Sequence, residues 1–226
     1  MIPALLIWLF KRYGKPFIAK HPLLFSRLAL TAKKLSLTFI LVAVGLLTYA
    51  QERTLNYKVL HNGHTVGRMQ LLEHTEGNDT FLKVASDVNI RFIFSVKVNI
   101  REDSHYRDGT LVCSHVWRAV NGRQKADKYT RANGTNYQLT GDGETRSINR
   151  AEITNNLTLM YLEEPVGLSQ IYSDNFQQFV PIKQTGSHTY RINLPDGNYN
   201  FYTYKDGVCS RVDIHHSLYT IQIQLT

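Results

Sequence analysis

Proline is missing from the whole stretch between Pro22 and Pro165, and only two cysteines occur among the 226 residues. The first absence suits a half-chain built of paired strands, because proline cannot donate to a strand ladder. The second allows a single bridge at most, so connectivity is unambiguous if the pair forms. There is no G-x-S-x-G elbow, no H-E-x-x-H pair, no phosphate-binding loop and no dinucleotide fingerprint. No catalytic residue, metal ligand set or cofactor is therefore nominated. Acidic residues are absent from positions 1–50, which hold seven basic ones: Lys11, Arg12, Lys15, Lys20, Arg27, Lys33 and Lys34. Removing these from the 26 Lys and Arg leaves 19 against 18 Asp and Glu, so +7 of the formal charge of +8 belongs to the N-terminal segment. The remainder is nearly neutral and lacks the electrostatic footprint of a phosphate-backbone binder, which excludes nucleic acid as the expected partner.

Residues 1–50 read as a leader with a secretion signal. Lys33 and Lys34 precede an apolar run over 35–47, and Thr48-Tyr49-Ala50 offers small-residue cleavage before Gln51. The segment from Leu35 to Ala50 is short for a membrane span, which needs roughly 20 residues. Cleavage and export to the periplasm or cell envelope are expected. The alternative is an uncleaved N-terminal anchor, the one way in which a membrane would be a partner. Residues 51–226 are within the size of one domain with its own core.

In that domain short alternating segments are separated by turn dipeptides at Asn62-Gly63, Asp108-Gly109, Asn121-Gly122, Asn133-Gly134, Asp142-Gly143, Asp196-Gly197 and Asp206-Gly207. Such dipeptides tolerate the positive φ that tight hairpins require. Between 82 and 100 the even positions Leu82, Val84, Val88, Ile90, Phe92, Phe94, Val96, Val98 and Ile100 are apolar, while the odd ones are mainly polar. One face of a long bent strand, or of two strands, is thus buried. Val208, Val212 and Ile214 differ in parity from Tyr219, Ile221, Ile223 and Leu225, so a turn or bulge is expected near His215-His216-Ser217. One segment has helical spacing, 155–162, with Leu157, Met160 and Tyr161 on one side. The fold expected is all-β: an antiparallel, strongly curved sheet forming a barrel or half-open barrel with one short helix, a two-layered sandwich being the alternative.

One helix of two turns cannot cover a sheet this large, and the apolar face is too extensive to stay wet. A concave interior able to take a hydrophobic small molecule or lipid follows as the expected function. Its candidate lining is Val88, Ile90, Phe92, Phe94, Val96 and Val98, with Tyr199, Tyr202 and Tyr204 placing hydroxyls at the mouth. The other readings are a structural or interaction module with a packed interior, and an enzyme acting on a glycan or lipid. The enzyme would assemble its site from scattered groups: Glu163, Glu164, Arg211, Asp213, His215 and His216. Glu102-Asp103 reads as a pair of solvated loop charges. Cys113 and Cys209, each shortly after an Asp-Gly turn, are expected on neighbouring strands as a possible disulfide, or else as two small apolar thiols.

The block Tyr190-Arg191-Ile192-Asn193-Leu194-Pro195-Asp196-Gly197-Asn198-Tyr199-Asn200-Phe201-Tyr202-Thr203-Tyr204, the run into Val208-Cys209-Ser210, and the early Tyr57, Asn62-Gly63 and Val66-Gly67 resemble a bacterial secreted family of unknown function. The resemblance implies no functional residues. Its β-rich pattern is distantly similar to the half-open barrels of periplasmic lipoprotein carriers, which implies a related curvature.

Overall fold

The computed structural model describes residues 51–91, 95–149, 152–217 and 219–226. The leader over 1–50, and Phe92 and Phe94, lie outside the described residues.

Eight strands come first: β1 (Gln51–His61), β2 (His64–Glu76), β3 (Asp79–Arg91), β4 (Ser95–Arg107), β5 (Thr110–Val120), β6 (Arg123–Asn133), β7 (Asn136–Gly141) and β8 (Glu144–Ile148). After a connecting segment follow β9 (Gln170–Ser173), β10 (Gln178–Gly186), β11 (Thr189–Asn193), β12 (Tyr199–Lys205), β13 (Val208–His216) and β14 (Tyr219–Leu225). All fourteen belong to one curved antiparallel sheet, in the order β8-β7-β6-β5-β4-β3-β2-β1-β14-β13-β12-β11-β10-β9, which does not close. The chain therefore meanders twice, and β1 joins the two meanders through Tyr57↔Leu225 and Val59↔Ile223.

The turns act as their residue types require. Asn62-Gly63 and Asp108-Gly109, for example, have φ of 50° and 78°, and 50° and 75°, the paired positive values whose twist matches the flanking strands. The even-numbered run of 82–100 is a hairpin of β3 and β4. Val88 pairs with Val98 and Ile90 with Val96, even with even, so the two strands share one apolar face. The parity change near residue 216 occurs because Val212 pairs with Ile223 and Ile214 with Ile221. Bulges at Val59/Leu60, His105/Tyr106, Arg118/Ala119 and Thr203/Tyr204 add twist to the sheet. Beside the first of them, Gly67 approaches β3 so closely that a Cβ there would lie 2.4 Å from the Asp87 carbonyl oxygen.

The inward face carries one continuous core, from Tyr57, Leu71 and Leu82 across to Leu139, Ile192 and Val212. The segment over 152–162 packs against this face and joins its core through Ile153, Met160 and Leu162. Bonds from both meanders hold it. Leu111 N–H donates to the Ile153 carbonyl at 2.8 Å and Asn156 Nδ2 to Ser104 Oγ at 2.9 Å. From the other meander the Tyr204 hydroxyl donates to the Met160 carbonyl at 2.8 Å.

Two expectations are corrected here. Over 155–162 the helix shrinks to a single 3-10 turn, Leu159–Tyr161. Leu157 N–H donates to the Tyr172 carbonyl and Tyr172 N–H to the Asn155 carbonyl, while Asn156 Oδ1 accepts from Leu159 N–H at 2.9 Å. Those partners replace the helical ones. Cys113 and Cys209 are both free, and they are not on neighbouring strands. Cys113 is on β5 and Cys209 on β13, with β4, β3, β2, β1 and β14 between them in the sheet. Similar positions after Asp-Gly turns say nothing about proximity when each turn belongs to a different meander. Cys209 instead behaves as a small apolar residue, its thiol pushed up to about 12 by burial.

Candidate functional site

The alternation that buries Leu82 and Val84 carries on to less apolar positions. On β3 the next inward residue is Ser86, and on β4 the inward series includes Ile100, Glu102 and Ser104. On β5 it includes Ser114, Val116 and Arg118, since Glu102 pairs with Val116 and Ile100 with Arg118. These walls, with Met69 of β2, border a partly open cavity of about 220 Å³ on the inward face. Asn200 and Tyr202 of β12, Ile214 of β13 and Ile223 of β14 close it from the other meander. Leu157 and Tyr161 of the packed segment, with Ser173, Asn175, Phe176 and Leu194, complete the lining.

Glu102 and Arg118 are diagonal neighbours across β4 and β5, a position with a typical backbone separation of about 7–8 Å, within reach of long side chains. Glu102 accepts a hydrogen bond from the Thr158 hydroxyl at 2.9 Å. Burial holds its carboxyl above the usual range, with the Thr158 bond and the Arg118 charge opposing that shift. The two charges form no ion pair among the described residues. Arg118 Nε, Ser173 Oγ and Asn200 Oδ1 are buried atoms with no hydrogen-bond partner among the described residues, and all three residues line this cavity. Ser173 is 0% exposed and Asn200 8%. Buried polar atoms are normally paired, so three orphans around one space are unusual.

Behind this wall lies Asp174, 6% exposed. One carboxyl oxygen accepts from the Ser114 hydroxyl and the other from Asn156 Nδ2 at 2.8 Å. Burial pushes its pKa up to about 7, assisted by the Glu102 charge and opposed by the bonds from Ser114 and Asn156. With both oxygens engaged, Asp174 anchors the packed segment. The unengaged groups are those of the cavity: a guanidinium nitrogen, an amide oxygen and a hydroxyl, beside a carboxylate.

Of the residues expected from sequence to line the interior, Tyr202 does so. Ile90 is buried and Val88, Val96 and Val98 are half-buried, nearer the β3–β4 turn than the cavity-lining Val84, Ser86, Ile100 and Glu102. Tyr204 is buried and engaged with Met160. Tyr199 lies among other aromatics, its ring stacked on His215 at 4.7 Å with the Arg191 guanidinium 4.1 Å from its centroid. The expectation that Glu102 is a solvated loop charge is corrected: it sits mid-strand on the inward face. The even-numbered series that runs through Val98 and Ile100 reaches it next, a signal present in the sequence. Arg118, Ser173 and Asn200 carried no such signal.

Three of the scattered groups of the enzyme reading, Arg211, Asp213 and His215, do line a common groove with Thr220 and Gln222. Arg211 and Asp213 are bonded to each other there, with Nε to Oδ2 at 2.8 Å. Glu164 is elsewhere, accepting from the Tyr190 hydroxyl at 2.8 Å beside His188, and Glu163 is exposed.

A family model described as a domain of unknown function, DUF6134, matches residues 57–226. Among curated proteins there is no match. Among solved structures the chain is similar to a crystal structure of a beta-barrel-like protein of another domain of unknown function, DUF1849, from Brucella abortus. The identity is 8%, with 78% of this chain and 96% of that chain covered and a TM-score of 0.49.

Proposed function

The chain belongs to the DUF6134 family, and from that premise we propose that it is a non-enzymatic, exported protein of the periplasm or cell envelope that binds a small hydrophobic or amphipathic molecule inside its curved sheet. The observation that carries the proposal is the cavity of about 220 Å³ whose lining includes three buried polar atoms without partners. Small-molecule sites are commonly mostly apolar pockets with a few fixed polar groups. The volume sets a scale: an apolar cavity of about 150 Å³ holds benzene, so this one suits a single small body or short chain rather than a two-chain lipid. Export rests on the leader pattern of Lys33-Lys34, the apolar run over 35–47 and the Ala50-Gln51 junction.

A packed structural module is the second reading, favoured by the segment over 152–162 that fills much of the inward face. The two separate in a titration of the full chain with a fluorescent short- to medium-chain fatty-acid probe. The proposal expects saturable binding that Val84→Trp, which fills the cavity, weakens at least tenfold while circular dichroism stays unchanged. Absence of binding, or binding indifferent to Val84→Trp, favours the packed module. Should that variant not fold, Val116→Phe, on the other side of Glu102 in the same cross-strand row, serves the same comparison.

A further inference from the structure

The lining of the cavity says more about its ligand than that it is partly apolar. Glu102 and Arg118 are both directed inward, adjacent on the diagonal, and unpaired with each other. Arg118 makes no hydrogen bond among the described residues, its buried Nε included. Both residues are half-buried and keep part of their hydration, so a ligand that covered the site while meeting only one of the two would leave the other desolvated and uncompensated, which is costly. Across the cavity, Asn200 Oδ1 offers an acceptor without a donor, and Ser173 Oγ is unmatched at its edge. The site is thus charged at two adjacent points of opposite sign and apolar around them, with Met69, Val116 and Ile223 among its walls.

We infer, resting on the ligand-binding reading above, that the cavity takes a small zwitterion with an apolar body, of the class of α-amino acids with hydrocarbon side chains. Its carboxylate meets the Arg118 guanidinium in a charge-assisted bond. Its ammonium donates to Glu102, to Asn200 Oδ1 and to Ser173 Oγ, and its side chain lies against Met69, Val116 and Ile223. A fatty acid would satisfy Arg118 and still bind, but more weakly, because it places a second carboxylate beside Glu102. An alkylamine would satisfy Glu102 but leave Arg118 unpaired.

The test uses three probes with one apolar body: L-phenylalanine, 3-phenylpropanoate, which lacks the ammonium, and phenethylamine, which lacks the carboxylate. Calorimetric titration of the full chain is expected to show phenylalanine binding at least tenfold tighter than either analogue. In Arg118→Met the advantage over phenethylamine disappears, and in Glu102→Gln the advantage over 3-phenylpropanoate disappears. Equal or tighter binding of either analogue to the unaltered chain overturns the zwitterion inference and leaves an apolar site. If none of the three binds while the fatty-acid probe does, the inference falls and the ligand-binding reading stands; if the probe also fails, both fall. Should a variant not fold, the three-probe series on the unaltered chain decides.

Discussion

Asn156→Leu is expected to lower the unfolding free energy by about 3–5 kcal/mol, enough to unfold a marginal domain. Asn156 is 0% exposed and ties three elements together. Its Nδ2 donates to Ser104 Oγ on β4 and to the Asp174 carboxylate after β9, and its Oδ1 caps Leu159 N–H in the 3-10 turn. Leucine has about the same size but none of these bonds, so a buried carboxylate oxygen and a buried backbone donor lose partners at once. Leaving such groups unpaired costs more than the bonds contributed. The control is its neighbour: among the described residues the Asn155 side chain bonds only the adjacent Thr154 hydroxyl, at 3.1 Å in an exposed setting, and Asn155→Leu should change stability by about 0.5 kcal/mol or less. Urea denaturation of the two variants checks this, read as the shift in midpoint at constant slope. Equal midpoints would mean that the segment over 152–162 is not held by this network.

The second large effect is a loss of stability as pH rises from 5 to 8. Asp174 has an ordinary carboxyl pKa of 3.8 when unfolded and about 7 in place. Between those values the folded chain binds a proton that the unfolded chain does not, so stability falls with pH. The contribution of the protonated form is complete below the unfolded value and is lost as pH rises through about 7. A shift of that size corresponds to roughly 4 kcal/mol over the full span. Glu102 and Glu73, both raised chiefly by burial, act in the same direction. Asp79, Asp87 and Glu164 are lowered by their hydrogen-bond partners and add stability that is lost only when pH falls below the carboxylate range, outside this window. Thermal unfolding at pH 5 and pH 8 should therefore give the higher midpoint at pH 5, and Asp174→Asn should flatten the slope. A midpoint that is level or rises from pH 5 to 8 contradicts the assignment of Asp174 as a buried, raised carboxyl.

Much of the fold could be read along the chain because its information is local. Asn62-Gly63, Asp108-Gly109, Asn121-Gly122 and Asp206-Gly207 mark hairpins through φ alone, and the even-numbered apolar residues of 82–100 mark one inward face through pleat alone. Where those signals stop, legibility stops. The hairpins joining β9 to β10 and β10 to β11 turn at Gln177 and His188, with φ of 52° and 55°, and neither lies in an Asn-Gly or Asp-Gly pair. β10 also carries Pro181, which argues against an interior strand. The helical spacing of Leu157, Met160 and Tyr161 was a real periodicity that lost to competing bonds from Tyr172 and Asn156. The cavity depends on residues far apart in sequence: Arg118 and Asn200 belong to different meanders, and nothing local says that they share a space. Glu102 lies within reach of the strand-parity argument, but next to Asp103 it looks like one of a pair of solvated charges at the end of an element, and carboxylates are rarely inside without a partner.

The most direct test of the ligand-binding account is native mass spectrometry of the chain purified from expressing cells without detergent or organic solvent. The account predicts that a fraction of the chain carries a non-covalent small-molecule adduct, released on acid denaturation and absent from Val84→Trp protein purified in parallel. Only the bare mass for both, together with no uptake of the fatty-acid probe or of phenylalanine added to the purified chain, would contradict it and leave the cavity a packing feature.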